Sequence, residues 1–415
     1  MDIASLIVLC ITLAIAFTFK LNSGVVSIAM ALIFSWIADV PGSFLVKSFN
    51  SSLFLTLLGV MYLFSIAQEN KTLDLLAKKI FNLCKGAPKL LPVVIFFTGA
   101  FISAIGPGII SATALMAVLM VALADEMDLP VIRLAPFGLL GAFAGGISPI
   151  TPTGIVAINV AGESGITGVG MDVAIKMFIT CLLYAIILYF FIFKWHRVKT
   201  LSLKANDGAA EAIPGFSAKQ IATLVGIFAV AAISTIFNIN VGLISFVVAV
   251  ALLLFKAADE GAVMKKIPWG TLVMVTGVGI LISLVTELGG IDLLSEGLKK
   301  LMSTKTATAI MALLSGVMSW VSSASGVVMP TLIPTTPGLA AEMGINAVSL
   351  VNSISIGANV AALSPLSTCG GLMLAAYSSS PKADAESRNQ LFGRLFLMSA
   401  CGVVFSALLG LIGLY

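Results

Sequence analysis

Runs of about 20 consecutive apolar residues recur along the whole chain, and they constrain the fold more than any other feature. The clearest of these runs span 3–19, 24–39, 53–68, 174–193, 222–238, 241–255, 269–286 and 395–414. A helix of this length matches the hydrocarbon layer of a bilayer. Only 10% of the residues are charged, whereas a soluble domain has about a quarter. The sequence therefore predicts an all-α polytopic membrane protein.

The first residues, MDIASL, place no basic segment ahead of the first apolar run. We therefore expect a retained helix and not a cleaved signal peptide. The five cysteines are scattered without paired spacing, which disfavours a disulfide framework or a metal site. The single histidine, His196, lies in the charged segment KWHRVK, where a solvated residue at a helix end is expected. We expect a multi-pass protein of the cell (inner) membrane, with the lipid bilayer as a partner and no nucleic-acid partner.

The two halves of the chain resemble one another. At an offset of 218 residues or, further along, 216, matching residues recur in the same order. The matched segments include Gly59-Val60 with Gly277-Val278, Ser65 with Ser283, Glu69 with Glu287, Asp74-Leu75-Leu76 with Asp292-Leu293-Leu294, Gly141-Ala142 with Gly357-Ala358, and Ser148-Pro149 with Ser364-Pro365. Internal repeats of this length are typical of secondary transporters.

We divide the chain into an N-terminal repeat over 1–197, a linker over 198–217 and a C-terminal repeat over 218–415. Each repeat is expected to hold three spanning helices, an amphipathic segment, a re-entrant hairpin, a broken helix and a closing helix. The hairpins are predicted over 91–126 and 305–342, and the broken helices over 131–163 and 345–376. The whole chain would then have about 10 spanning helices plus 2 hairpins.

The distribution of lysine and arginine predicts the orientation in the membrane. With both termini outside, 18 of the 23 basic residues face the cytoplasm and five face outward, and the linker is cytoplasmic. Such an excess agrees with the positive-inside rule. The same threading gives the two repeats opposite orientations, so we predict an inverted-topology repeat.

Two proline-bearing segments, SPITPTG at 148–154 and SPLSTCG at 364–370, interrupt the predicted broken helices. Irregular backbone persists at membrane depth only where it is buried in protein or lines a wet cavity. Freed carbonyl groups can bind a hard cation, and new helix N-termini can bind an anion. Each break would face a hairpin tip, SAIGPG at 103–108 or SSASG at 322–326, giving two polar clusters. The alternative is that these small residues only pack membrane helices together.

Acidic side chains are expected only near the ends of the apolar runs, at Asp39, Glu69, Glu163 and Glu287. A carboxylate within the membrane is the usual proton carrier. Coupling to a metal cation is therefore favoured over direct proton coupling, and we expect a cation–anion symporter.

The segment LFLTLLGVMYLFSIAQENKTLDLL at 53–76, the GPG tip and the SPITPTG break together resemble the MatC-type carriers of malonate or C4-dicarboxylates. These carriers are similar to the divalent anion–sodium symporters of the ion transporter superfamily. The resemblance implies a homodimer that moves a small dicarboxylate by an elevator motion, with Na⁺ as the coupling ion. The asparagine of the symporters' Ser-Asn-Thr signature is absent from both aligned regions, which read SAT at 111–113 and SSASG at 322–326.

The resemblance also implies roles for the polar clusters. The residues expected to bind the dicarboxylate are Gly108, Ser111, Thr113, Thr151, Thr153, Ser325, Asn359, Ser367 and Thr368. The residues expected to bind Na⁺ are Ser103, Gly106, Ser148, Ser322, Ser323 and Ser364.

Three other functions are weighed. The chain could be the large membrane subunit of a tripartite, binding-protein-dependent carboxylate transporter. It could be an inorganic-ion antiporter of the same superfamily, although that function predicts a titratable carboxylate at a break. An intramembrane enzyme is disfavoured, because nothing near Cys369 in the second break could activate the thiol as a nucleophile.

Overall fold

The computed structural model describes residues 1–82, 90–126, 129–193, 214–237, 239–378, 380, 383 and 385–415. Its helices are α1 (Asp2–Thr18), α2 (Ser23–Ile37), α3 (Gly42–Lys47), α4 (Ser51–Glu69), α5 (Thr72–Asn82), α6 (Leu91–Ala104), α7 (Gly108–Glu126), α8 (Ala135–Gly145), α9 (Pro152–Glu163), α10 (Val169–Ile192), α11 (Ala218–Phe237), α12 (Val241–Leu254), α13 (Glu260–Lys266), α14 (Trp269–Glu287), α15 (Gly290–Lys299), α16 (Ala307–Val321), α17 (Met329–Leu332), α18 (Thr336–Met343), α19 (Ala347–Val360), α20 (Thr368–Ser378) and α21 (Ala385–Leu411). His196 and the predicted linker up to residue 213 lie outside the described residues.

Within the described ranges, six helical segments are long and apolar enough to cross a membrane, and a seventh counts if α16 and the bent segment after it form one span. This result confirms an all-helical membrane protein and supports six to seven spans. Several other apolar helices have only 10–17 residues, among them α2 and α12. A 15-residue helix is about 22 Å long, which is shorter than the hydrocarbon layer of about 30 Å. The larger number of ten spans therefore stays a prediction.

The helices recur in one order in the two halves of the described chain. The series from α1 to α6 corresponds to the series from α11 to α16, and α8, α9 and α10 correspond to α19, α20 and α21. Equivalent side chains begin equivalent helices: Asn22 caps α2 by accepting from Gly24 N, and Asn240 caps α12 by accepting from Gly242 N and Leu243 N. These two asparagines are 218 positions apart, as the sequence repeat predicts.

Contacts between the halves are reciprocal. Helix α2 packs on α14, and α12 packs on α4. At each crossing two glycines meet: a Cβ built on Gly59 would lie 2.1 Å from Gly242 O, and one on Gly277 would lie 2.4 Å from Gly24 O. Because no side chain fits, backbone touches backbone at both crossings. The halves are therefore interlocked by the same contact made twice.

The predicted hairpins and broken helices fall on definite elements. Helices α6 and α7 occupy 91–126 with a tight turn between them, and α16 meets the segment Ala324–Met343 at a bend of 119°. Helix α7 is itself long enough to cross a membrane. The re-entrant path of these hairpins is thus left as a prediction.

The broken helices form the centre of the molecule. All residues of α8 are buried, as are those of α19 from Leu350 onward. Helix α8 is covered by α6 and α10, and α19 by α16 and α21. The two interruptions, at 146–151 (the first break) and 361–367 (the second break), therefore begin in the protein interior, while Ser148, Pro149 and Ile150 are half-buried and Leu366 is exposed.

Candidate functional site

The side-chain hydroxyl of Thr151 holds the backbone of the first break by hydrogen bonds. Thr151 Oγ1 donates to the carbonyl oxygens of Gly146 (2.8 Å) and Ser148 (2.7 Å) and accepts from Gly154 N at the start of α9. Pro152 occupies the first turn of α9, where its missing N–H costs nothing. The chain turns so tightly that a Cβ on Gly154 would lie 1.9 Å from Ser148 O.

The second break repeats this geometry 216 residues later. Ser367 Oγ donates to the carbonyl oxygens of Ala362 (2.7 Å) and Ser364 (2.8 Å). A Cβ on Gly370 would lie 2.2 Å from Ser364 O. In both breaks the hydroxyl proton is committed to a carbonyl. Thr151 and Ser367 therefore have no proton to donate to a substrate carboxylate in this state, and only their oxygen lone pairs remain available.

The first tip, residues 103–108, lies directly on the first break. Ser148 Oγ donates to Ala104 O at 2.9 Å. The tip turns through Gly106 (φ 136°) and Gly108 (φ 76°), backbone conformations that favour glycine. Ser103 is fully buried and its Oγ has no hydrogen-bond partner. The structure thus places the first tip, which includes Ser103, Gly106 and Gly108, against Ser148 of the first break.

Thr113 occupies a different environment. It is fully buried on α7, and its hydroxyl lies beside the thiol of Cys369 at the start of α20 without a hydrogen bond of normal geometry. Helices α7 and α20 pack closely. Thr113 therefore faces the second half of the molecule and not the first break.

The second tip, residues 322–326, is organised by its own hydrogen bonds. Ser322 Oγ donates to Met318 O, and Ser323 Oγ accepts from Gly326 N at the start of a π-helical turn, Ala324–Val328. Ser364 Oγ accepts from Leu366 N within the second break. No hydrogen bond found among the described residues joins this tip to this break, whereas Ser148 joins the first break to the first tip.

Two further predicted residues lie close to the second break. Asn359 is buried near the end of α19, donates to Ser355 O at 2.7 Å and lies near Met329 Sδ. Thr368 is the exposed first residue of α20. The amide of Asn359 is thus partly committed to its own helix, whereas Thr368 is exposed on the surface of the chain.

A small cavity of about 40 Å³ lies between the first tip, α4 and α9. It gathers Ser325 from the second tip with four residues assigned to the first cluster, Gly106, Gly108, Ser111 and Thr153. The remaining polar lining comes from residues that the sequence reasoning did not assign to the site: Ser65, Gln68, Lys266 and Thr271. In the sequence, Ser65 is marked as the repeat match of Ser283, and that match is the signal that could have assigned it to the site.

A large cavity of about 580 Å³ lies between α4, α9, α14 and the segment 330–337. Its polar lining residues are Lys47, Ser48, Asn50, Glu163, Ser164, Thr276, Ser283, Thr286 and Glu287. Glu163 accepts a hydrogen bond from the side-chain amide of Asn50.

The two cavities occupy equivalent places in the two repeats. Seven lining positions of the small cavity correspond to lining positions of the large one at the offset of 218. These pairs are Met61 and Gly279, Phe64 and Ile282, Ser65 and Ser283, Gln68 and Thr286, Lys266 and Ser48, Pro268 and Asn50, and Thr271 and Leu53. The cavity that these equivalent positions line is therefore nearly closed in one case, at about 40 Å³, and open in the other, at about 580 Å³.

Comparisons with known proteins agree with this architecture. The sequence model of the family described as "Citrate transporter" matches residues 7–412. Comparison with curated protein sequences gives no match. Among solved structures, the chain is similar to the YdaH transporter of Alcanivorax borkumensis, whose crystal structure is described as revealing an unusual topology. The TM-score is 0.60 at 15% sequence identity, and the match covers 88% of this chain and 86% of that one.

The structural likeness concerns the fold alone, because the sequence identity is low. The family match identifies the family as well as the fold, since it covers residues 7–412 of the 415 residues. It is a match to transporters and not to enzymes. With its apolar spans, buried helix breaks and paired cavities, the chain belongs to the citrate transporter family.

Proposed function

We propose that this transporter carries small carboxylates with two or three carboxyl groups, a class that includes malonate, the C4-dicarboxylates and citrate. It works by alternating access, with Na⁺ as the coupling ion. The observation that carries the proposal is the pair of equivalent cavities, one of about 40 Å³ and the other of about 580 Å³. If the two repeats exchanged conformations, the large cavity would close and the small cavity would open.

The chemistry of the small cavity supports an anionic substrate. Residues of the first tip line it together with the hydroxyl-bearing side chains of Ser111, Thr153 and Ser325 and the ammonium-bearing side chain of Lys266. Such donors bind carboxylate oxygens. The cavity is far smaller than the roughly 300–1,000 Å³ of a typical ligand pocket. Substrate therefore enters only after the cavity opens.

The first break supports a Na⁺ site. The buried Ser103 Oγ has no partner, and a Cβ on Gly146 would lie 2.7 Å from it, so the hydroxyl stands beside the broken backbone. Ser148 lies against the same tip. Oxygen atoms of this kind suit a hard cation. We assign Ser103 and Ser148 to this ion, which supplies positive charge for the substrate carboxylate.

The proposal includes a homodimer that works by an elevator motion, about ten spans, two re-entrant hairpins and an inverted repeat in the inner membrane. The recurring order of helices and the reciprocal crossings support the repeat. The dimer and the elevator motion rest on the resemblance to the dicarboxylate carriers.

Uptake into proteoliposomes tests this function. We expect radiolabelled citrate, malonate or succinate to accumulate faster under an inward Na⁺ gradient at fixed pH. Ser103→Ala should raise the half-saturating Na⁺ concentration about tenfold or more, since a polar contact with a charged group contributes about 1.5–3 kcal/mol. Thr98→Val is the matched control, because Thr98 is another buried and unpartnered hydroxyl on α6, five residues before Ser103.

Three results would contradict the proposal. Uptake that responds to a pH gradient and not to Na⁺ would remove the coupling ion. An equal effect of Ser103→Ala and Thr98→Val would remove the assigned Na⁺ site. If none of the three acids moves under any gradient, the substrate class is wrong.

A further inference from the structure

An ion pair spans the rim of the small cavity. Lys266 Nζ, at the end of α13, lies 2.8 Å from Glu69 Oε2, at the end of α4. Lys266 lines the cavity, and the two side chains are 40% and 28% exposed. This contact ties together two helices that border the nearly closed cavity.

The large cavity also has a glutamate and a lysine in its lining. Glu287 is the last residue of α14 and corresponds to Glu69 at the offset of 218. Lys47 is the last residue of α3, as Lys266 is of α13, and lies one position before Ser48, the residue that corresponds to Lys266 at the offset of 218. Both Lys47 and Glu287 line the large cavity and are exposed. Within the described part of the chain, neither makes an ion pair.

We infer that Glu69–Lys266 and Glu287–Lys47 are alternate closing pairs, of which one forms as the other separates. This inference rests on the proposed alternating access and adds the residues that set its equilibrium. In the present state the first pair is formed and its cavity is nearly closed. The charges of the second pair are apart and its cavity is open. Exchange of the two states would bring Glu287 to Lys47 and release Glu69 from Lys266.

Each pair is partly exposed, so it biases the equilibrium and does not lock it. Exposed ion pairs change an equilibrium by at most about fivefold. A pair of similar strength in each state leaves the two states nearly balanced, which suits a carrier that must return after each cycle. Removing one pair should therefore shift the balance toward the state that the other pair closes.

Thiol labelling of two matched positions measures this shift. Ser65 and Ser283 are repeat equivalents, line opposite cavities, and each donates to the carbonyl four residues earlier. Ser65→Cys and Ser283→Cys are made separately in a chain whose five native cysteines are replaced. The detergent-solubilised protein is then labelled with a maleimide, so that both faces are accessible. The native charges should give faster labelling at position 283 than at position 65.

Glu69→Gln should raise the labelling rate at position 65 and lower it at position 283, by about two- to fivefold each. Glu287→Gln should have the opposite effect. The exchange Glu69→Lys with Lys266→Glu should restore the native rates, which distinguishes the ion pair from a general loss of packing. Lys265→Gln removes the neighbouring charge on α13, which corresponds to Lys47 at the offset of 218 but is not the partner of Glu69 in this structure, and should leave both rates unchanged.

The inference is overturned if Glu69→Gln changes both rates in the same direction, or changes neither, or if the charge exchange fails to restore them. Lys266→Gln provides a second variant should Glu69→Gln fold poorly, and the same opposite shifts are expected. Because labelling needs no substrate or ion, this result does not depend on whether the carboxylate class or the Na⁺ coupling proves correct.

Discussion

At the residue scale, the breaks depend on two glycines that admit no side chain. Gly154 lies against the carbonyl of Ser148 in the first break, and Gly370 lies against the carbonyl of Ser364 in the second break. An added methyl group at either position must displace backbone, and backbone within a buried helix break has little room to move.

We predict that Gly154→Ala destabilises the protein by about 1–3 kcal/mol, the usual cost of overpacking a filled interior. The measurement is thermal unfolding in detergent, followed by the loss of monodisperse protein. Gly162→Ala, on the same helix, is the control, because a Cβ there meets nothing within 4 Å. It should be neutral or stabilising, since alanine favours a helix over glycine by about 0.5–1 kcal/mol. Equal stability of the two variants would show that the first break tolerates a side chain.

The position of both breaks could be predicted from proline and hydroxyl residues in the sequence. The role of each individual hydroxyl group could not be predicted. A threonine beside a proline can bind a ligand or close its own turn, and the choice depends on where its rotamer points. Thr151 and Ser367 close their turns, while Ser103, which is not in a break, is left without a partner.

At the element scale, Thr151 organises the start of α9. Its hydroxyl both caps the helix and bonds to two carbonyl groups of the first break. Loss of an N-cap hydroxyl costs about 0.5–2 kcal/mol.

We predict that Thr151→Val increases amide hydrogen exchange in the first turn of α9 about two- to thirtyfold, which is the same cost expressed as an opening equilibrium. Exchange measured by mass spectrometry on peptides covering Pro152–Glu163 gives the rate. Thr151→Ser keeps the hydroxyl and should exchange like the native chain. If valine and serine behave alike, the cap contributes nothing to the helix.

The elements themselves were largely predictable. The range 91–126 and both broken-helix ranges each fall on two observed helices, and 305–342 falls on α16, α17 and α18, because proline, glycine and hydrophobic length mark where a helix stops. Their lateral packing was not predictable. Helices α4 and α14 are apolar on nearly every side, so no polar face in the sequence indicates which side lines a cavity.

At the scale of the whole molecule, the orientation in the membrane follows from charge. With 18 basic residues on one side and five on the other, we predict that both termini lie outside. In a bacterial host, alkaline phosphatase fused to the C-terminus should be active, since its disulfides form only in the periplasm. Green fluorescent protein inserted in the linker over 198–217 should fluoresce. A fluorescent C-terminal fusion with an inactive phosphatase fusion would reverse the orientation.

The reciprocal glycine crossings have a consequence for how the chain is made. Helix α2 is held by α14, and Asn22 at its start bonds to Gly270, 248 positions further along the chain. At a synthesis rate of about 5–20 residues per second, α2 waits roughly 10–50 s in the membrane before its partner emerges from the ribosome. The N-terminal half therefore cannot complete its structure while it is being synthesised. Until the second half is inserted, the glycine surface of α2 must be prevented from packing against other helices.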